Sequence, residues 1–253
     1  MAAVAAIRFL MTRAVGLSAL ALSVSAAAAP LSFHEAFMGS RLADKPTGPP
    51  AARYQTDEGA VFVLDRSAPT TLLKFENDPE IWALDRANGP RGDVIYRNDL
   101  GEEMLRATRL GGVTVFTNRR PEGSPAALDG ASQPLRIVMV NPTQLATDFF
   151  QASVRASRFA RHEIIFETGK DADAATAGEL ADAATIASEA IVDVASLPNG
   201  RLILARINDV VITQGGKPNA VLQKSRLVVT VVPKNGVAGR PSSRRIERAA
   251  GAP

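Results

Sequence analysis

The chain has 253 residues, no cysteine, 46% hydrophobic residues and a formal net charge of +3. Without cysteine there is no disulfide to staple the fold and no thiol to act as nucleophile or metal ligand, so apolar burial must hold the core. The charge is concentrated at the ends: Arg8 and Arg13 stand without an acid in residues 1–29, and Arg240, Arg244, Arg245 and Arg248 meet only Glu247 after Gly239, which leaves residues 30–239 at −2 and gives no electrostatic reason to expect nucleic acid.

Residues 1–29 read as a secretory signal. Arg8 and Arg13 precede an apolar run from Ala14 to about Ser25, and Ala27 and Ala29 make a small-residue cleavage pattern. The run is shorter than the roughly 20 residues a spanning helix needs. The expectation is cleavage near Ala29, release into the periplasm and no transmembrane span in the mature chain. Residues 30–52 follow as a short helix and a Pro-rich linker. Ser32 and Glu35 have capping-box spacing, Phe33 and Phe37 share a face, and "DKPTGPPAA" ends regular structure.

Residues 53–118 read as antiparallel β. Six strands are expected, at 60–65, 71–76, 80–85, 93–97, 102–110 and 113–117, parted by turn chemistry such as "NDP", "NDLG" and "GG". Gly111-Gly112 is expected as a two-residue hairpin loop setting Leu110 opposite Val113 and Ala107 opposite Phe116. "NDLG" suits a type I turn closed by a left-handed Gly101, with Arg97 facing Glu102 and Asp93 facing Arg106. Arg109 lacks an acidic partner and is the candidate ligand-binding residue. A weak echo at an offset of 32 residues, Leu72-Leu73-Lys74 on Met104-Leu105-Arg106, suggests two three-stranded meanders. A small barrel or a bent sheet accommodates them.

A polar stretch from 118 to 134 leads into a mixed α/β region, 134–233. "LRIVMV" (135–140) reads as a buried strand. Asn141-Pro142 opens a helix whose apolar face is Leu145, Phe149, Ala152, Ala156 and Phe159. "EIIFE" (163–167) is a short strand. A second helix spans 173–197, with Leu180, Ala184, Ala187, Ile191 and Val194 at helical spacing. Arg155, Arg158 and Arg161 on the first helix and Glu179, Asp182, Glu189 and Asp193 on the second favour packing as neighbours. Residues 201–207 suit a helix or a strand. "DVVITQ" and "SRLVVTVVP" are strands around the turn "GGKPN", making a C-terminal hairpin. The fold class is α+β, with the two regions as one domain or two.

Residues 234–253 are expected as a tail, whose last fifteen residues, 239–253, hold one large apolar residue, Ile246. The expectation is a flexible basic tail whose arginines, Arg240, Arg244, Arg245 and Arg248, add weak affinity for an anionic surface.

No familiar catalytic constellation stands out. His162-Glu163 opens like a zinc-protease H-E-x-x-H, but position 166 is Phe, and His34 and His162 are the only histidines. "GGKPN" lacks the glycines and Ser/Thr of a P-loop, and no G-x-G-x-x-G follows a strand. Asp171 and Asp173 lack a calcium-loop pattern. No metal and no cofactor are expected.

The blocks "FVLDRS…LLKFENDPEIWAL", "GPRGDVIYRNDLGEEMLRATRLGGVTVFT" and "VAGRPSSRRI" together resemble an uncharacterised family of exported alphaproteobacterial proteins, a domain of unknown function. The resemblance runs from about Arg53 to Ile246. It implies export and a single inherited unit, and it brings no activity, cofactor or catalytic residue. The sequence therefore favours a non-enzymatic envelope protein binding a protein or cell-wall partner. A hydrolase with an unrecognised carboxylate site and a small-ligand carrier using a barrel interior are the alternatives.

Overall fold

The computed structural model describes residues 49–169 and 174–253. The signal segment, the helix expected at 31–42, His34, Asp171 and Asp173 lie outside the described residues. Pro46–Pro253 forms one compact unit.

Eight antiparallel strands close a barrel in chain order: β1 (Ala51–Thr56), β2 (Val61–Asp65), β3 (Thr71–Phe75), β4 (Ile81–Asn88), β5 (Val94–Arg97), β6 (Glu103–Ala107), β7 (Val113–Thr117) and β8 (Arg120–Ala131). Closure comes from β1, which pairs with both β2 and β8. Alternate residues face inward. Tyr54, Phe62, Leu64, Leu73, Trp82, Leu84, Val94, Tyr96, Leu105 and Val115 fill the interior. Tyr54 and Phe62 stack with ring centroids 5.4 Å apart. Each large side chain so buried contributes about 1.5–3 kcal/mol.

Six of the eight strands were expected; β1 and β8 were not. Ala51 and Ala52 of β1 belong to the expected linker, although both are buried. The sequence of β8, "RPEGSPAALDGA", reads as a polar stretch because it carries two prolines and one large apolar residue, Leu128, which is exposed. Its inward positions, Ser124 and Ala126, are small. The 32-residue offset maps β3 onto β6 end to end.

The β6–β7 hairpin corrects the expected register. Ala107, not Leu110, pairs with Val113, and Arg106 pairs with Thr114. The turn is longer than two residues: the Gly111 amide donates to the Thr108 carbonyl at 3.0 Å, and the Gly112 amide donates to Thr108 Oγ1 at 3.0 Å. Leu110 stands at its tip, 95% exposed. Only Gly111 of the two glycines takes positive φ, at 90°. Gly111→Ala is therefore expected to lower stability by about 1 kcal/mol, as a Cβ is disfavoured there. Gly112→Ala should cost less, since its Cβ needs only the Thr108 hydroxyl to yield. Urea midpoints of the two variants, compared side by side, check the order.

The second half is a four-stranded sheet in the order β11-β12-β10-β9, covered by helices. α1 (Pro142–Ala160) starts as expected: Asn141 Oδ1 accepts the Gln144 amide at 2.8 Å, and Pro142 opens the helix. Phe149, Ala152, Ala156 and Ala160 are its buried face, while Phe159 is largely exposed. β9 is Ile165–Thr168, and α2 is Ala177–Ser196. α1 and α2 are joined by Arg155, whose Nη2 donates to Glu189 Oε2 at 2.6 Å. The open reading at 201–207 resolves to a short helix, α3 (Gly200–Leu204).

β10 (Asp209–Gln214) and β12 (Arg226–Val231) run parallel, and β11 (Asn219–Gln223) pairs antiparallel with β12. The expected two-strand hairpin is thus a three-strand arrangement. β9 is an edge strand, and α1 blunts it. Ser153 Oγ accepts the Phe166 amide at 2.9 Å, and Ser157 Oγ accepts the Ile164 amide at 2.9 Å. Two serines one helical turn apart thereby satisfy amides that would otherwise template another chain.

Residues 135–140, expected as a buried strand, form an irregular connection. Val138 and Met139 are exposed, while Leu135 and Ile137 pack on Leu72, Ile81 and Val237. Asp65 fixes the start of this connection by accepting the Leu135 amide at 2.7 Å.

The C-terminal segment expected to be flexible is folded. A 3₁₀ stretch (Pro233–Gly239) leads to α4 (Ser243–Ala250), whose Ile246 and Ala250 enter the α/β core. One isoleucine alone would not repay the ordering entropy. The arginines do the rest, because they point at carboxylates of the barrel and of α2.

Candidate functional site

The site grows out of two short motifs. The first is the β5–β6 turn, "NDLG". Gly101 takes φ 83° as expected, and Asn98 is buried. Asn98 Oδ1 accepts the amides of Leu100 (3.0 Å) and Glu102 (2.9 Å), and its Nδ2 donates to Glu102 Oε2 at 2.8 Å. With Asn98 tying the turn, Asp99 and Glu102 are presented outward. A bulge between Tyr96 and Arg97 sets Arg97 against Glu103, not Glu102, and Arg106 pairs along its own strand with Glu103 at 2.8 Å, not with Asp93.

The second motif is "RPSSRR". Ser242 caps α4, accepting the Arg245 amide at 3.2 Å. The cap also reaches the barrel: Ser242 Oγ donates to Asp99 Oδ1 at 2.6 Å, and Arg245 Nε donates to Asp99 Oδ2 at 2.6 Å. One turn on, Arg248 donates to Glu102 Oε1 at 2.6 Å. Arg244 approaches the same carboxylate at 4.0 Å.

Between the motifs lies Arg240, its side chain 4% exposed. Its Nη1 donates to Glu80 Oε1 at 3.1 Å and its Nη2 to the Ile81 carbonyl at 2.8 Å, while Nε donates to Asp182. Glu80 Oε1 also accepts the Ser243 amide at 3.1 Å. Gly239 is required just before it: a Cβ there would lie 2.1 Å from the Val232 carbonyl oxygen. Burial works to lower the Arg240 guanidinium, and Asp182 and then Glu80 outweigh it, so it is held above the ordinary arginine range. Burial pushes the Glu80 carboxyl up, against the opposing pull of Arg240 and Ser243.

Glu80, Asp99, Arg240, Ser242 and Arg245 line a cleft of about 600 Å³ where the barrel meets the α/β sheet, and Asp85, Lys217, Asn219 and Thr230 share its wall. Its charged residues are balanced: Glu80, Asp85 and Asp99 against Lys217, Arg240 and Arg245. Lys217, on the exposed β10–β11 turn, pairs with no carboxylate among the described residues.

Two of the site residues expected from sequence, Arg240 and Arg245, line this cleft. They do so as folded ion-pair partners, not as a surface for anions. Arg244 and Arg248 are held beside Glu102. Arg109 lies on the exposed β6–β7 turn, beside Gly92, and lines neither this cleft nor the smaller one at the barrel mouth. Glu80, Asp99, Asp182, Lys217 and Ser242 were missed. The one readable signal was the Ser242 cap, three residues before an arginine and just ahead of an amphipathic turn.

His162 is structural. Its Nε2 lies 2.8 Å from the Ile207 carbonyl and its Nδ1 3.3 Å from that of Ala160. Among the described residues no group of three or more His, Asp or Glu is placed to hold a metal ion, and no helix is long and apolar enough to cross a membrane.

A family model described as a domain of unknown function (DUF4908) matches residues 32–250, and the chain belongs to that family. No curated protein and no solved structure matches.

Proposed function

We propose that this family member is an exported, non-enzymatic protein of the periplasm that binds a polar partner of the envelope in the cleft between its barrel and its α/β sheet. Export rests on the Arg8–Ala29 pattern. Binding rests on one observation, the mutual pairing of the cleft's charges. Arg240 is neutralised by Glu80 and Asp182, and Asp99 is occupied by Ser242 and Arg245. Catalytic groups are held differently, with a nucleophile or acid poised toward open space beside its base. A balanced polar wall with an open lysine at its rim suits recognition of a ligand bearing both donors and acceptors.

One observation favours a second reading. Glu80 is a buried carboxyl, raised by burial, inside a cleft, which is how a general acid is prepared. The two readings part in one experiment. Ester, phosphate, peptide and glycoside substrates are incubated with wild type and Glu80→Gln, and a library of cell-wall fragments is screened by thermal shift against wild type and Lys217→Glu. The binding reading expects a fragment that raises the melting temperature of wild type and not of Lys217→Glu, with no Glu80-dependent turnover. Turnover that Glu80→Gln abolishes would establish the hydrolase instead.

A further inference from the structure

We propose that the mouth of the barrel beside the β2–β3 turn is a separate binding site for the anionic head of a small amphiphile, a carboxylate or phosphate on a short apolar chain. The strand pleat builds it. Phe62 and Leu64 on β2, and Trp82 and Leu84 on β4, face the interior. The same alternation, carried two residues further along each strand, brings Arg66 and Arg86 to the rim. There they line a cleft of about 310 Å³ with Leu84, Tyr96, Pro69 and Thr71. Arg86 lies directly across the ladder from Tyr96, and Thr71 across from Leu84. The site shares Thr70 and Asp85 with the charge-paired cleft and is otherwise distinct from it.

Arg66 carries the inference. Its Nη2 donates to the Pro49 carbonyl at 3.2 Å, and its buried Nε has no hydrogen-bond partner. Among the described residues no carboxylate pairs with it. The neighbouring Asp65 is committed elsewhere, one oxygen to the Ser67 amide at 2.8 Å and the other to the Leu135 amide at 2.7 Å. A guanidinium drawn out of water recovers its lost solvation from an anion. Arg240 shows the usual solution in this same fold, with two carboxylates around it. Among the described residues Arg66 has none, so its guanidinium is the group at the barrel mouth that an incoming anion would pair. A guanidinium fork matches carboxylate and phosphate alike, and Arg86 stands beside it in the lining. Leu84, Pro69, Ala68 and the ring of Tyr96 supply an apolar strip for a short hydrocarbon, beside the polar Thr70, Thr71 and Asp85.

Trp82, the chain's one tryptophan, sits two residues from Leu84 on the same face of β4 and serves as reporter. The full chain is titrated at constant ionic strength with hexanoate and with hexyl phosphate, and with hexanol and inorganic phosphate as controls. Saturable change in Trp82 fluorescence is expected with an anionic amphiphile, and the tighter of the two names the head group. Both controls should bind about tenfold more weakly or worse, and Arg66→Gln should weaken binding roughly ten- to hundredfold, the effect of losing a charge-assisted hydrogen bond. Arg66→Lys should restore part of the affinity. Lys217→Glu should leave it unchanged, which separates this site from the polar cleft. Absence of saturation with both amphiphiles, equal affinity for hexanol, or unchanged affinity in a folded Arg66→Gln would overturn the proposal. Should Arg66→Gln fail to fold by circular dichroism, Arg86→Gln, at an exposed rim position, applies the same criterion.

Discussion

Replacing Arg240 by alanine is expected to destabilise the protein by about 3–5 kcal/mol, the cost of breaking a buried ion pair by removing one partner. The magnitude follows from what is left behind. Glu80 would remain buried with only the Ser243 amide for its charge, and Asp182 and the Ile81 carbonyl would each lose a donor. The loss also has architectural reach. Glu80 immediately precedes β4 and Ile81 opens it, Asp182 belongs to α2 and Arg240 to the segment before α4, so one guanidinium joins the barrel, the helical layer and the C-terminus. Against a typical total stability of about 5–15 kcal/mol, such a loss brings the fold near its limit. Arg245→Ala is the control. Its bond to Asp99 is about one-third exposed on both sides, so its loss should cost about 1 kcal/mol. Urea unfolding of both variants tests the order. Equal costs, or a melting temperature unchanged in Arg240→Ala, would show that the buried cluster does not hold the halves together. Glu80→Gln keeps acceptor geometry and removes the charge, so it should fall between the two.

That cluster also marks where sequence reasoning ends. The strands of the barrel were legible because large apolar residues alternate in them: Leu73 and Phe75 in β3, Val113 and Val115 in β7. β8 was not, because Ser124 and Ala126 do the inward packing there and prolines interrupt the run. The β6–β7 register differs from the expected one for a local reason. Two adjacent glycines suggest two positive φ values, but the Thr108 hydroxyl caps the turn and leaves that role to Gly111 alone. At the site, each half was readable as local structure. "NDLG" announced a turn with a left-handed glycine, and it is one. Nothing local said that Asp99 and Glu102 would receive α4, because Asp99 and Arg245 are 146 residues apart. Glu80 and Arg240 are separated by 160. Each looked like a lone surface charge, and four C-terminal arginines with one isoleucine looked like a tail. Tertiary pairing, not composition, decided the fate of both.

The same ring of carboxylates sets the expected pH dependence. Glu247, on α4, is pushed up to about 7, first by burial and then by Asp193, with Glu80 and Glu102 adding to the effect and Arg244 opposing it. Asp193 is itself raised, by burial and then by Asp78, against Arg244 and Arg155. An unfolded chain has no such crowding, so Glu247 returns there to its ordinary value of 4.5. A group whose folded pKa lies above its unfolded value stabilises the fold fully below the unfolded pKa. That stabilisation is lost as pH rises through the folded pKa. The melting temperature should therefore rise as pH falls from 8 toward about 5.5. The gain should be about 1–2 kcal/mol once solvent screening of the partly exposed side chain is allowed for. Asp65 limits the trend on the acid side. Burial would raise it, but hydrogen bonds from Ser67 and Leu135 and the charge of Arg136 hold it below the usual range, so its contribution disappears in stronger acid. Glu247→Gln isolates the cause. It should stabilise the protein at pH 8, leave it unchanged near pH 5 and flatten the curve between. A melting curve for Glu247→Gln that tracks wild type across pH 5.5–8 would remove Glu247 from the account and place the dependence on Asp193 and Glu80.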